Sequence, residues 1–244
     1  MLRIALATLF LATPAVAFAQ AAPQAAPATM AKPAKQFEII DPASVEPTRL
    51  LPTPPAAGSP AEALELVQLH QLIKGTSAAR MEQAKWDDEH EDPAIFDNVI
   101  GTSLKALPAT WSLLLTIQND SGIAGNLAKK HFGRIRPWGA DATLPNCDAG
   151  KGKKPLGSYP SGHSVLGFSV GYALAQLVPA KSQAILDRAA DYALSREICG
   201  VHFRSDAGAS QVIGTYVAAN ILADPRMQSR VAAARTELGK FASR

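Results

Sequence analysis

A chain of 244 residues, 47% hydrophobic and only 6% aromatic, can bury one sizeable core. Its 24 basic and 21 acidic residues leave a formal charge of +3, without the basic stripe and interleaved aromatics of a nucleic-acid binder. That balance still permits a small anionic substrate, because a few convergent cations suffice to hold one.

Arg3 precedes an almost wholly apolar run, Ile4 to Val16, and Ala17-Phe18-Ala19 is a small-x-small cleavage site. This order predicts a secretory signal peptide over residues 1–19, since the apolar run is short for a membrane span. From Gln20 onward Ala and Pro dominate, and Pro23, Pro27, Pro33, Pro42 and Pro47 oppose regular structure. Residues 20–48 therefore read as a flexible or extended leader, and 49–244 as the domain proper, with Leu50 and Leu51 as apolar anchors.

After Pro60, Leu64, Leu66, Val67, Leu69, Leu72 and Ile73 recur at helical spacing. The acidic run Asp87 to Asp92 ends at a proline and reads as a loop. Further helices are predicted over about 93–105, 109–132, 161–178, 181–198, 205–223 and 226–241, with a Gly- and Pro-rich loop over 138–159. Period-two alternation is absent, so the fold class is all-α, a compact helical bundle. Gly167, Gly171, Ala173, Gly208 and Gly214 would let the later helices approach closely. The two cysteines, Cys147 and Cys199, either pair in an oxidising compartment or stay as separate buried thiols. A bridge would close a loop of about fifty residues and stabilise by roughly 3 to 4 kcal/mol.

Three segments carry candidate chemistry. Lys129 and Arg136 stand seven apart on one helical face, and Pro137 ends that helix, so two cations converge at one end. Arg offers a planar fork to an oxyanion and Lys a point charge. Gly157-Ser158-Tyr159-Pro160-Ser161-Gly162-His163 precedes an apolar helix, whose first amides, with the Ser161 hydroxyl, form an anion site. Gly162 admits close backbone approach, and His163 stands at the mouth as an acid. In the third segment, His202 and Asp206 are four apart, so the carboxylate can fix the imidazole tautomer and free the other nitrogen to attack. Arg196 adds a third cation. Taken singly, each segment also reads as a basic face, a helix cap or surface polarity. His70, His90 and His131 read as structural, while Trp138 suits either the mouth or packing.

Taken together, Lys129-x6-Arg136-Pro137, Pro160-Ser161-Gly162-His163 and Ser195-Arg196-x5-His202-x3-Asp206 resemble the three-part signature of the phosphatidic-acid-phosphatase and vanadium-haloperoxidase superfamily. Gly157 to His163, Leu50 to Pro55, Arg134-Ile135-Arg136-Pro137 and Ile198-Cys199-Gly200 are similar to the class A bacterial non-specific acid phosphatases. The likeness covers roughly residues 49–225. It implies an all-helical periplasmic acid phosphatase of broad specificity for small phosphate monoesters, nucleotides included, with phosphotransfer to alcohols as a side reaction. It implies no metal or cofactor, no membrane segment after cleavage, homo-oligomers in some relatives, and a Cys147–Cys199 bridge. It assigns His202 as nucleophile, Asp206 as its orienter, His163 as acid and then base, and Lys129, Arg136, Ser161, Gly162 and Arg196 as phosphate ligands. Vanadate-dependent haloperoxidase and soluble lipid phosphatase are the alternative activities. Two positions depart from the pattern: Ser164 stands where Thr is common, and Gln118 where several members carry an acid.

Overall fold

The computed structural model describes residues 35–149, 151–152 and 155–241. The expected signal peptide, and the leader up to residue 34, lie outside the described residues. Residues 38–40 and Val45, within the stretch expected as a flexible or extended leader, lie against the domain. The Asp120 carboxylate accepts the backbone N–H groups of Glu38, Ile39 and Ile40 at 2.8 to 2.9 Å, and Val45 is fully buried. A carboxylate inside the fold thus satisfies an otherwise irregular strap.

Among the described residues ten α-helices follow in order: α1 Pro47–Leu50, α2 Pro60–Gly75, α3 Ala78–Glu89, α4 Asp97–Ile100, α5 Pro108–Phe132, α6 Pro137–Ala140, α7 Gly162–Leu177, α8 Ser182–Ile198, α9 Arg204–Ala223 and α10 Gln228–Leu238. Among the described residues there is no strand, only an isolated bridge between Ile135 and Leu156. None of these helices is long and apolar enough to cross a membrane.

The local signals are those that start and stop helices. Ser59, Ser77 and Ser161 cap α2, α3 and α7, and Pro60 and Pro108 open their helices where a missing N–H does no harm. Gly133, at φ 56°, ends α5 in the left-handed conformation that glycine favours. α7 is the centre of the bundle, packed between α5, α8 and α9. Close approach there needs small residues. A Cβ on Gly214 of α9 would lie 2.8 Å from the Val165 carbonyl oxygen, and one on Gly167 would lie 2.9 Å from the Tyr192 ring.

Two predicted boundaries change. The acidic run is half helix: α3 continues to Glu89, and Asp87 and Asp88 are buried. Arg188 Nη2 donates to Asp87 at 2.6 Å, and Lys151 Nζ to Asp88 at 2.6 Å, so desolvation of these carboxylates is offset by pairing. The helix expected over 93–105 is broken into α4 and short 3-10 turns, because Gly101 adopts φ 88° and Asp97 accepts the Leu104 N–H at 2.9 Å.

The segment 138–159, whose first three residues belong to α6, is tied down near its middle and at its end. Cys147 and Cys199 form a disulfide, with Cys147 N–H donating to the Cys199 carbonyl at 2.9 Å. Gly157 and Ser158 N–H both donate to the Arg134 carbonyl at 3.0 Å. The bridge spans 52 residues, so Cys147→Ser is expected to lower unfolding free energy by ~4 kcal/mol through loop entropy. A urea titration showing less than about 1 kcal/mol of loss would remove the loop from the stabilising framework.

Candidate active site

Lys129 lies in the last turn of α5, and Arg136 is the N-cap of α6, held extended at ψ 156° before Pro137. Lys129 Nζ donates to the Gly157 carbonyl at 2.5 Å. Arg136 Nη1 donates to the Val201 carbonyl and to His202 Nε2, both at 3.1 Å. Arg196, near the end of α8 and 1% exposed, donates through Nη1 to Asp88 Oδ1 at 2.5 Å. Its Nε finds no hydrogen-bond partner among the described residues. A buried guanidinium N–H left over in this way suits an anion.

Three cations held this close oppose one another. Burial, then Arg136, pushes the Lys129 ammonium down to about 7. Below that pH Lys129 is charged and attracts anions; above it the charge is lost. Sulfate is a dianion throughout this range, so its competitive inhibition constant is expected to stay level below about pH 6 and rise toward tenfold per unit above pH 7. Lys129→Arg should carry that rise to higher pH. A constant that stays flat to pH 9 in the wild type would exclude Lys129 from the anion site.

His202 follows α8 in the turn leading to α9, 2% exposed, and Asp206 is fully buried in the first turn of α9. The Arg136 guanidinium can only donate, so His202 Nε2 carries the lone pair and Nδ1 carries the hydrogen. Nδ1 lies 3.2 Å from Asp206 Oδ2. Burial, then Arg136, Lys129 and Arg196, holds the imidazole well below its ordinary range, so it stays neutral in mild acid. Burial raises the Asp206 carboxyl, while Arg134, Ser158 and the Phe203 N–H work in the opposite direction.

The N-terminus of α7 lies beside these groups. The Ser161 hydroxyl accepts the Ser164 N–H at 3.3 Å and keeps its own hydrogen to donate. The Gly162 and His163 amides precede the first helical hydrogen bond. A Cβ on Gly162 would sit 4.0 Å from Lys129 Cε and 3.5 Å from Glu91 Oε1. His163 Nε2 lies 3.2 Å from the Asp88 carbonyl, and Nδ1 lies 3.6 Å from Glu91 Oε1.

The fold therefore gathers Lys129, Arg136, Ser161, Gly162, His163, Arg196, His202 and Asp206 at one end of the bundle. Ser195 points elsewhere, its Oγ donating to Asp87 at 2.5 Å and accepting from Arg80 at 3.0 Å. Sequence reasoning passed over the supports. Arg134 Nη1 donates to Asp206 Oδ1, and Nη2 to Glu65 Oε2, both at 2.7 Å. Ser158 Oγ donates to Asp206 Oδ2 at 2.5 Å. Asp88 holds Arg196. The spacing to these partners, such as 72 residues from Arg134 to Asp206, gave no local signal.

The remaining side chains resolve simply. His70 pairs with Asp141 at 2.8 Å, His90 stacks on Trp86 at 3.9 Å, and His131 lies edge-on to Phe132. Trp138 packs against the buried cluster of Ala84, Ile198, Cys199 and Val201. A cavity of about 620 Å³ lined by Trp86, His90, Asp92 and Arg188 contains none of the gathered residues. Among the described residues no group of three or more His, Cys, Asp or Glu side chains is arranged to hold a metal.

The family model of the PAP2 superfamily matches residues 108–230, which takes in every gathered residue. The chain is 30% identical over 208 residues to a non-specific acid phosphatase of Providencia stuartii, covering 81% of this chain and 83% of the relative. It is 31% identical over 196 residues to one of Salmonella typhimurium, covering 77% and 78%. An acid phosphatase of Zymomonas mobilis is 31% identical over 208 residues, covering 80% and 76%. With this geometry and these relatives, the chain belongs to the PAP2 superfamily, among its class A bacterial non-specific acid phosphatases.

Proposed function

We propose that this enzyme hydrolyses small phosphate monoesters, nucleotides among them, in two steps through a phosphohistidine. The observation that carries the reading is the His202 tautomer: Nδ1–H faces Asp206, and the Nε2 lone pair faces the cation pocket 3.1 Å from Arg136. Lys129, Arg136 and Arg196, with Ser161 and the Gly162 amide, hold the phosphoryl oxygens and stabilise charge on the transferring group. The Nε2–P bond forms as the ester P–O bond breaks, and the leaving oxygen takes a proton from His163. Asp206 balances the charge that His202 acquires. His163 then takes a proton from water as the new O–P bond forms and the N–P bond breaks. An alcohol in place of water gives phosphotransfer.

Mild acid suits this chemistry because His202 stays neutral while Lys129 stays charged. With residues 1–19 read as a signal peptide, the mature enzyme acts in the periplasm, and the Cys147–Cys199 bridge supports an oxidising compartment. The test is hydrolysis of p-nitrophenyl phosphate at pH 5 to 6 with a chelator present, repeated with vanadate. Chelator-resistant, vanadate-sensitive turnover is expected. Halide oxidation with vanadate and peroxide, without phosphate release, would overturn the reading.

A further inference from the structure

Resting on that phosphatase reading, one carboxylate at the pocket mouth has a place in the reaction. Glu91 follows α3 on a turn that is fixed from two other helices. Gln118 Nε2 of α5 donates to the Glu91 carbonyl at 3.0 Å, and the Tyr192 hydroxyl of α8 donates to the His90 carbonyl at 2.6 Å. Gln118, the position where the resemblance led to an acid, thus holds the backbone of a neighbouring acid. The turn brings Glu91 Oε1 within 3.6 Å of His163 Nδ1. The opposite ring nitrogen, Nε2, is committed: a carbonyl only accepts, so Nε2 carries a hydrogen toward the Asp88 oxygen at 3.2 Å. The proton that His163 gives up must then be the one on Nδ1, the nitrogen that faces Glu91.

The charges around His163 decide what Glu91 does. Lys129 of α5, Arg196 of α8 and His202 lie at the same end of the pocket, and the cations among them oppose a charged imidazole. The Tyr192 ring of α8 lies 5.9 Å from the His163 ring and is uncharged in this range. The Asp88 carboxylate is taken by Arg196 and Lys151, and Asp206 by Arg134 and Ser158. Glu91 is the carboxylate set against His163 itself, and an opposite charge at that distance favours the protonated ring. At 3.6 Å the contact is longer than a hydrogen bond, so it acts on the ring mainly through charge.

We propose that Glu91 is a positioning residue for this reaction: its carboxylate orients His163 and keeps it in the imidazolium form that protonates the leaving oxygen. The dependence should follow the leaving group. An alkyl phosphate such as glycerol 2-phosphate needs its leaving oxygen protonated, whereas p-nitrophenolate departs with little help.

The experiment compares Glu91→Gln with the wild type on both esters from pH 4.5 to 8, and follows the His163 ring by NMR titration in both proteins. The expected result is an alkaline limb of kcat on glycerol 2-phosphate moved about one unit toward acid. That is about a tenfold loss near pH 7 and little loss at pH 5, with less than about threefold change on p-nitrophenyl phosphate. The His163 titration should move the same way. An unmoved His163 titration, or equal losses on both esters at every pH, would overturn the role of Glu91 while leaving the phosphatase reading intact. Failure of the wild type to hydrolyse either ester would overturn the phosphatase reading, and the role of Glu91 with it.

Discussion

His202→Ala is expected to lower kcat on p-nitrophenyl phosphate by at least about 10⁴-fold, because the covalent path loses its only attacking atom. The three cations remain, so binding of sulfate or vanadate should weaken far less than turnover. The fold should survive as well. Asp206 keeps Arg134, Ser158 Oγ and the Phe203 N–H, and Arg136 keeps the Val201 carbonyl. A rapid alkaline quench, which preserves a phosphorus–nitrogen bond, should trap labelled phosphate on His202 in the wild type and none in the variant. Activity of the variant within tenfold of wild type would sink the covalent scheme, whatever the quench returns.

Arg134→Ala is expected to have the largest effect on stability, about 3 to 5 kcal/mol, because it strips a buried cation from two carboxylates at once. Arg134 is 6% exposed, Asp206 is fully buried, and Glu65 loses its 2.7 Å partner too. The guanidinium also lies 3.8 Å over the Phe203 ring, so packing is lost together with charge. Asp206, left without its cation in a dry site, favours its protonated form, so its pKa, already raised by burial, rises further in the folded variant above that of the unfolded chain. The folded variant then binds more protons than the unfolded one, and its stability falls as pH rises. The deficit should be greater at pH 7 than at pH 4.5. Arg134→Lys should recover part of the loss, since one ammonium cannot match a fork that reaches Ser205, Asp206 and Glu65. Urea titrations at the two pH values would decide: a loss below about 1 kcal/mol at pH 7 would mean that Asp206 is held by its other donors alone.

Arg134 also marks the limit of sequence reading. It sits two residues before Arg136, inside a string that the family resemblance picked out, yet nothing local gave it a role. Arg136 could be assigned because Pro137 fixes its backbone, although α5 ends at Phe132 and Arg136 caps α6 instead of sharing the helical face of Lys129. Arg134 acts through residues 69 and 72 positions away, and no periodicity connects them. Asp88 presents the same difficulty. A run of acids before a proline looks solvated, because unpaired carboxylates avoid burial. Arg188, Arg196 and Lys151 reverse that preference once α3 and α8 face each other.

The sequence by itself determined the helices, their caps and the order of the chemical groups along them. Those are set by spacing, turn residues and proline, which act over one or two turns. It placed His202 four residues before Asp206, but the pair is made across the start of α9, with His202 in the preceding turn, and not along one helical face. Only the tertiary structure decided which helix faces meet, and with that every property that depends on desolvation and long-range pairing. It decided that Asp120 holds the strap at 38–40, that Asp87 and Asp88 are interior, that Arg134 supports Asp206, and that Glu91 faces His163. The physical reason is that the energy of a charge depends on what surrounds it in space, and those neighbours come from helices far apart in the chain.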